Sequence, residues 1–290
     1  MIQSAIKYGK MVKLSHSLFA LPFAGIGVIQ ALRFLQPGEP VFQKILLIII
    51  CMVSARSAAM GMNRFADRLY DKKNPRTSGR EIPSGVLSEK SVIGFIFASS
   101  VIFVISSFYL NLLSFYLSFF ALFILFFYSY SKRFTWLCHF ILGISIGFAP
   151  LGAWIGLLGE FSLQPILWFS GLLFQISGFD ILYATQDMDF DKKEKLFSIP
   201  ARYGKNVSFK LAAISYLLAL AAFAGSGMIA GYAYPYYLAI SLTGIILYYN
   251  FILSIKSNGL LPPLFYQLNS YISLLVFFAV LVSEWSNLWK

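Results

Sequence analysis

The sequence predicts an all-α polytopic membrane protein with about nine transmembrane helices in one bundle. Three observations carry this. Only 12% of the 290 residues are charged, about half the fraction usual in a soluble domain. The chain is 58% hydrophobic, with 30 Phe and 17 Tyr. Several apolar runs approach or exceed the ~20 residues that carry a helix across a bilayer. No cleavable signal is visible, because Lys7, Lys10 and Lys13 lead into a span without a small-residue cleavage site. Residues 1–290 therefore read as one transmembrane domain.

In chain order the expected spans are 16–34, 42–66, 90–110, 112–130, 135–158, 164–187, 207–230, 235–254 and 267–286. Short breakers separate several of them: Gln36-Pro-Gly-Glu-Pro40, Gly159-Glu160, Tyr234-Pro235, Asn258-Gly259 and Pro262-Pro263. Two longer connections, 67–89 and 188–206, differ from the rest. With the N-terminus inside, both face the cytoplasm, as do Lys132, Arg133 and Lys256. The basic residues Arg68, Lys72, Lys73, Arg76, Arg80, Lys192, Lys193, Lys195, Arg202 and Lys205 gather in the two long connections. The opposite side keeps Arg33, Lys44 and Lys290. That bias obeys the positive-inside rule, and an eight-span reading would place one basic loop on the wrong side. The net charge of +11 thus reports orientation and gives no reason to expect nucleic acid. Cys51 and Cys138 lie far apart in apolar segments and read as packing residues.

Acidic residues are more selective. Of 12 Asp and Glu, nine lie in or beside the two long connections. Asn63, Asp67 and Asp71 recur every fourth residue, so on a helix they form one slowly drifting stripe roughly 12 Å long. In the stretch from Gly178 to Asp191, a continuous helix brings Asp180, Asp187 and Asp191 within about 40° of one another and turns Asp189 away. The bland alternatives are a solvated helix end for the first cluster and local pairing with Lys192, Lys193 and Arg202 for the second. Each cluster closes the second span of a four-span block, which suggests two pseudo-repeated four-helix halves.

Ionisable groups at the ends of apolar helices point to function, since burial without a partner is expensive. Oxygen-only ligands suit Mg²⁺, which commonly bridges carboxylates to a substrate phosphate. With only His16 and His139 and no Cys/His cluster, zinc is not expected. The loop Lys72-Lys-Asn-Pro-Arg-Thr-Ser-Gly-Arg80 supplies donors for phosphate oxygens. Carboxylates, Mg²⁺ and guanidinium groups at a membrane surface together suggest a diphosphate ester with a lipid tail.

These motifs resemble those of the UbiA superfamily of intramembrane prenyltransferases. Asn63-Arg-Phe-Ala-Asp67-Arg-Leu-Tyr-Asp71 matches the family's N-x-x-x-D-x-x-x-D pattern, and Asp187-Met-Asp-Phe-Asp191 its second D-x-x-x-D. Tyr128-Ser-Tyr-Ser-Lys132-Arg133 is similar to a Y-x-x-x-K motif, and the runs 74–83 and 198–204 also look like family hallmarks. The resemblance implies Mg²⁺ held by Asp67, Asp71, Asp187 and Asp191, gripping the diphosphate of a polyprenyl donor. Asn63, Lys72, Arg76, Arg80, Lys132 and Arg202 would complete the grip. Tyr128, Tyr183 and Phe179 are candidates for shielding an allylic cation, and Asp180 for the base. An aromatic ring acid would be the acceptor, with 4-hydroxybenzoate first and 1,4-dihydroxy-6-naphthoate second. The product would serve quinone (ubiquinone or menaquinone) synthesis in a bacterial plasma (inner) membrane.

Arg56 lies seven residues before Asn63, on the same helical face two turns deeper. It either binds an acceptor carboxylate or pairs with Asp180. His16 reads as a core histidine, with a position near the acceptor as the alternative. Arg64 and Glu81-Ile-Pro83 depart from the family's usual residues, and with the 178–187 run they place the chain nearest the 4-hydroxybenzoate polyprenyltransferase-like branch. A CDP-alcohol phosphatidyltransferase would need a D-G-x-x-A-R motif, which is absent. A secondary transporter predicts broken helices at the midplane rather than acids at one surface, and a purely structural membrane protein has no need of the clustered acids.

Overall fold

The computed structural model describes residues 2–12, 20–257 and 260–288, with side chains from residue 7 to residue 285 within those limits. His16 and the Asn258-Gly259 turn lie outside the described residues. All regular structure among the described residues is helical: α1 (Ile2–Val12), α2 (Leu21–Ala31, continued by a 3₁₀ turn to Phe34), α3 (Val41–Lys73), α4 (Glu89–Leu110), α5 (Leu112–Ser131), α6 (Cys138–Leu158), α7 (Leu163–Ala184), α8 (Met188–Lys193), α9 (Ile199–Ala230), α10 (Tyr234–Lys256) and α11 (Pro263–Leu288).

Eight helices are long and apolar enough to span a membrane; the described part of the first expected span, Leu21–Phe34, is shorter. The nine-span expectation therefore stands as eight such helices and one shorter apolar helix among the described residues. The two long connections are also more helical than expected. α3 runs through Asp67 and Asp71 to Lys73, and α9 begins at Ile199 instead of 207. At 33 residues α3 is roughly 50 Å long, about 20 Å more than a hydrocarbon core of ~30 Å. The acidic motif occupies the C-terminal part of that long helix.

Local chemistry accounts for the boundaries. Ser88 accepts the Ser91 N–H and starts α4, while Asn111 accepts the Ser114 N–H and starts α5. Ser198 accepts the Ala201 N–H, and Pro200 in the first turn helps launch α9. Gly204, at φ +78°, interrupts the helical backbone soon afterwards. Gly159 and Gly231 end α6 and α9 in the left-handed region that glycine adopts without a Cβ clash.

Aromatic packing ties the bundle together. Phe23 of α2, Trp168 of α7 and Phe223 of α9 are fully buried, with Trp168 and Phe223 ring centroids 5.2 Å apart. Gly27 permits the close approach of α2 to α6, because a Cβ there would strike the Pro150 carbonyl. α3 packs most extensively on α4, and α7 on α9. Cys51 and Cys138 are buried and unbridged.

Candidate active site

The ends of α3 and of α7–α8 face each other across a polar cavity of about 160 Å³. From α3 it is lined by Asn63, Asp67 and Asp71, and from α7–α8 by Asp180, Tyr183, Asp187 and Asp191. The loop after α3 adds Arg76 and Arg80, and the end of α5 adds Tyr128, Lys132 and Arg133. The two sequence clusters are therefore one site. The helical-stripe argument also holds on the second side: Asp189 is exposed and outside the cavity. It holds even though Thr185–Asp187 tightens to a 3₁₀ turn.

Each motif carboxylate has a cation beside it, from a distant part of the chain in three cases and from the adjoining loop for Asp71. Arg76 meets Asp187 side-on, Nε donating to Oδ1 at 3.1 Å and Nη2 to Oδ2 at 2.6 Å. Its third nitrogen donates to the Tyr183 hydroxyl at 2.7 Å. Arg80 Nη1 lies 2.7 and 2.8 Å from the two oxygens of Asp71. Lys132 Nζ sits 2.8 Å from Asp191 Oδ2, which also accepts from Ser198 Oγ at 2.9 Å. Asp67 accepts from Asn63 at 3.2 Å and has Arg133 at 4.0 Å. The local pairing with Lys192, Lys193 and Arg202 does not form.

Arg76 and Lys132 lie just outside the spanning helices. Burial alone would lower the pKa of each. For Arg76, the hydrogen bond to Asp187 and the charge of that carboxylate reverse this and hold it above the ordinary value. For Lys132 the Asp191 carboxylate does the same. Both stay cationic at neutral pH.

Four expected contributors lie outside the cavity lining. Lys72 is exposed and outside the cavity, because one residue past Asp71 is a 100° rotation off its face. Arg202 is also exposed, its guanidinium 5.4 Å from the Tyr203 ring. Phe179 stands behind Tyr183, stacked on Phe265 at 4.8 Å, and does not line the cavity. Arg56 is half-buried and likewise not a lining residue. Its Nε has no hydrogen-bond partner, and the Asp180 pairing considered for it is absent.

Asp180 pairs instead with His139, Nδ1 to Oδ2 at 2.7 Å. Sequence reasoning gave His139 no role. The signal was available, since it is a polar residue in an apolar span, the criterion that singled out Arg56. Asn74, Arg133 and Ser198 were quoted within motifs but given no role. Asn74 Nδ2 lies 3.5 Å from Asp187 Oδ1, while its own Oδ1 accepts the Arg76 N–H at 3.0 Å.

The donor chemistry fits Mg²⁺. All candidate ligands are hard oxygens, offered as two pairs one helical turn apart. Mg²⁺ is usually held by one or two carboxylates plus substrate phosphate and water rather than by an all-protein cage. Among the described residues, no group of three or more His, Cys, Asp or Glu converges on a single point.

A helical bundle that ends two of its long helices in facing acidic motifs, ringed by arginine and lysine, fits a membrane-embedded prenyltransferase. The chain belongs to the UbiA prenyltransferase family, whose profile matches residues 20–271. It is 29% identical over 254 residues to a 4-hydroxybenzoate octaprenyltransferase of Vibrio atlanticus (strain LGP32), covering 86% of this chain and 87% of the relative. A 4-hydroxybenzoate octaprenyltransferase of Vibrio cholerae serotype O1 (strain M66-2) is 29% identical over 271 residues, covering 88% and 89%. Among solved structures, the apo UbiA homolog from Aeropyrum pernix K1 superposes with a TM-score of 0.82 at 26% identity, covering 92% of this chain and 98% of that one. A UbiA homolog from Archaeoglobus fulgidus bound to GPP and Mg²⁺ shares the fold at a TM-score of 0.72 and 18% identity, covering 96% and 99%.

Proposed function

We propose that the protein transfers a polyprenyl group from polyprenyl diphosphate to the ring of an aromatic acid, with 4-hydroxybenzoate as the acceptor, in quinone synthesis at the cytoplasmic face of a bacterial inner membrane. The observation that carries this reading is the single cavity where Asp67, Asp71, Asp187 and Asp191 meet Arg76, Arg80, Lys132 and Arg133. The acceptor choice rests on the relatives' names as 4-hydroxybenzoate octaprenyltransferases. Arg56, half-buried two turns below Asn63 and without an ion pair among the described residues, is the candidate for the acceptor carboxylate although it does not line the cavity.

Bound Mg²⁺, held through the two carboxylate pairs, would supply positive charge to the diphosphate oxygens as they leave. Arg76, Arg80 and Lys132 lie ready to add charge-assisted hydrogen bonds to the same oxygens. The allylic C–O bond breaks and the diphosphate departs with its electron pair. Tyr128 and Tyr183 present ring faces to the carbocation, which stabilise it without capturing it. A ring carbon of the acceptor then bonds to the prenyl carbon, and the displaced ring hydrogen leaves as a proton to Asp180. The cavity takes the head group and the reacting end; the rest of the prenyl chain lies outside it.

The test incubates membranes carrying the protein with Mg²⁺, a polyprenyl diphosphate and either 4-hydroxybenzoate or 1,4-dihydroxy-6-naphthoate. Prenylated 4-hydroxybenzoate with stoichiometric diphosphate is the expected product. Turnover of the naphthoate alone would reassign the acceptor, and no diphosphate release with either would refute prenyl transfer to these rings.

A further inference from the structure

We propose that His139 is a positioning residue that presents one oxygen of Asp180 to the acceptor substrate; this rests on the acceptor chemistry proposed above. His139 stands in the first turn of α6, its side chain 1% exposed, and borders the cavity beside Asp180. The backbone N–H of Ile199 donates to its Nε2 at 3.2 Å. That nitrogen must therefore offer a lone pair, which leaves the ring proton on Nδ1, 2.7 Å from Asp180 Oδ2. A doubly protonated ring would point Nε2–H at the Ile199 N–H, donor against donor. The backbone contact thus selects the neutral tautomer that donates to Asp180.

Asp180 lines the cavity and its side chain is 19% exposed. With Oδ2 held by His139, Oδ1 has no hydrogen-bond partner among the described residues and is the oxygen left for the acceptor. The segment that supplies the Ile199 N–H is pinned nearby, with the Phe197 N–H donating to the Lys132 carbonyl at 2.7 Å. Such outer partners orient the group that reacts, and their loss commonly costs 10–100-fold.

The experiment compares His139→Ala, His139→Asn, Asp180→Asn and the His139→Ala/Asp180→Asn double variant of the full chain in membranes, with geranyl diphosphate, Mg²⁺ and 4-hydroxybenzoate. Asn keeps a donor close to the Nδ1 position. We expect His139→Ala to lower kcat about 10–100-fold while the KM for geranyl diphosphate stays within about twofold. The acid limb of its kcat–pH profile should move to higher pH, since a carboxylate that loses a donor holds its proton more tightly. His139→Asn should recover much of the rate, and the double variant should be no slower than Asp180→Asn. Wild-type kcat in His139→Ala would overturn the proposal. So would equal losses in His139→Ala and His139→Asn accompanied by a raised donor KM, the pattern of a merely structural residue. A wild-type enzyme inactive with every aromatic acid would instead refute the acceptor reading and this inference with it, so the two failures are distinguishable.

Discussion

Arg76 and Asp187 are 111 residues apart in the chain and meet as a two-pronged pair, 3.1 and 2.6 Å. The guanidinium also holds the Tyr183 hydroxyl, and its carbon lies 5.4 Å from that ring. One side chain therefore sets the position of a metal-binding candidate and of a carbocation-shielding candidate. Lysine can keep the charge but not this planar geometry. Arg76→Lys should lower kcat/KM for the prenyl diphosphate about 10–100-fold, the size of one or two lost charge-assisted hydrogen bonds. Steady-state diphosphate release measures it, and a wild-type value would remove Arg76 from the site.

Asp67 is the motif carboxylate with the loosest resident cation, 4.0 Å away at Arg133. Its main duty in the proposed reaction is then toward metal rather than toward the protein's own charges. Asp67→Asn should abolish turnover by 100-fold or more, on the scale of losing one electrostatic contact to the leaving group, with little change in thermal stability. Removing divalent ions with EDTA should silence the wild type, and added Mg²⁺ should restore it. Activity that survives EDTA would exclude the metal.

Lys132 and Asp191 make the opposite case. Asp191 is 1% exposed and Lys132 35%, so deleting the cation strands a buried carboxylate with only the Ser198 hydroxyl. Lys132→Met should destabilise the protein by about 1–3 kcal/mol, less than a fully buried pair would give because water reaches the lysine. The Lys132→Met/Asp191→Asn double variant should regain stability yet stay inactive. Apparent melting in detergent separates the two effects.

Arg56 should act on one substrate alone. Replacing it with Met should raise the KM for 4-hydroxybenzoate tenfold or more, about 1.4 kcal/mol, and leave the KM for prenyl diphosphate unchanged. A phenolic acceptor lacking the carboxylate should be indifferent to the change. If both acceptors suffer equally, Arg56 supports the fold instead.

Much of this site is legible in the chain because helical phase is local. Asn63, Asp67 and Asp71 share a face in any α-helix, and the same rule turned Asp189 away from Asp187 and Asp191. The rule would also have excluded Lys72, had it been applied one residue past Asp71 as strictly as before it. Partners set by packing are another matter. His139 finds Asp180 and Ile199 at separations of 41 and 60 residues, and nothing in the α6 sequence announces them. Arg202 was expected in the site on motif similarity, but the Ser198 cap starts α9 in a phase that sends it to the surface. The excess length of α3 was hidden for a related reason: hydropathy ends a span where charge begins, whereas the hydrogen-bonded helix continues.

The cavity at the end of α3 is lined chiefly by charged and polar side chains, which suit a diphosphate and not a long hydrocarbon, so on the proposed reaction the donor's tail stays in the bilayer. The donor's working concentration is then a mole fraction of lipid, and encounter is a two-dimensional search along the membrane plane. Adding inert phospholipid to a fixed amount of enzyme and donor should slow the reaction like dilution, although the aqueous volume is unchanged. Adding buffer at constant lipid should do so only through the water-soluble acceptor and metal.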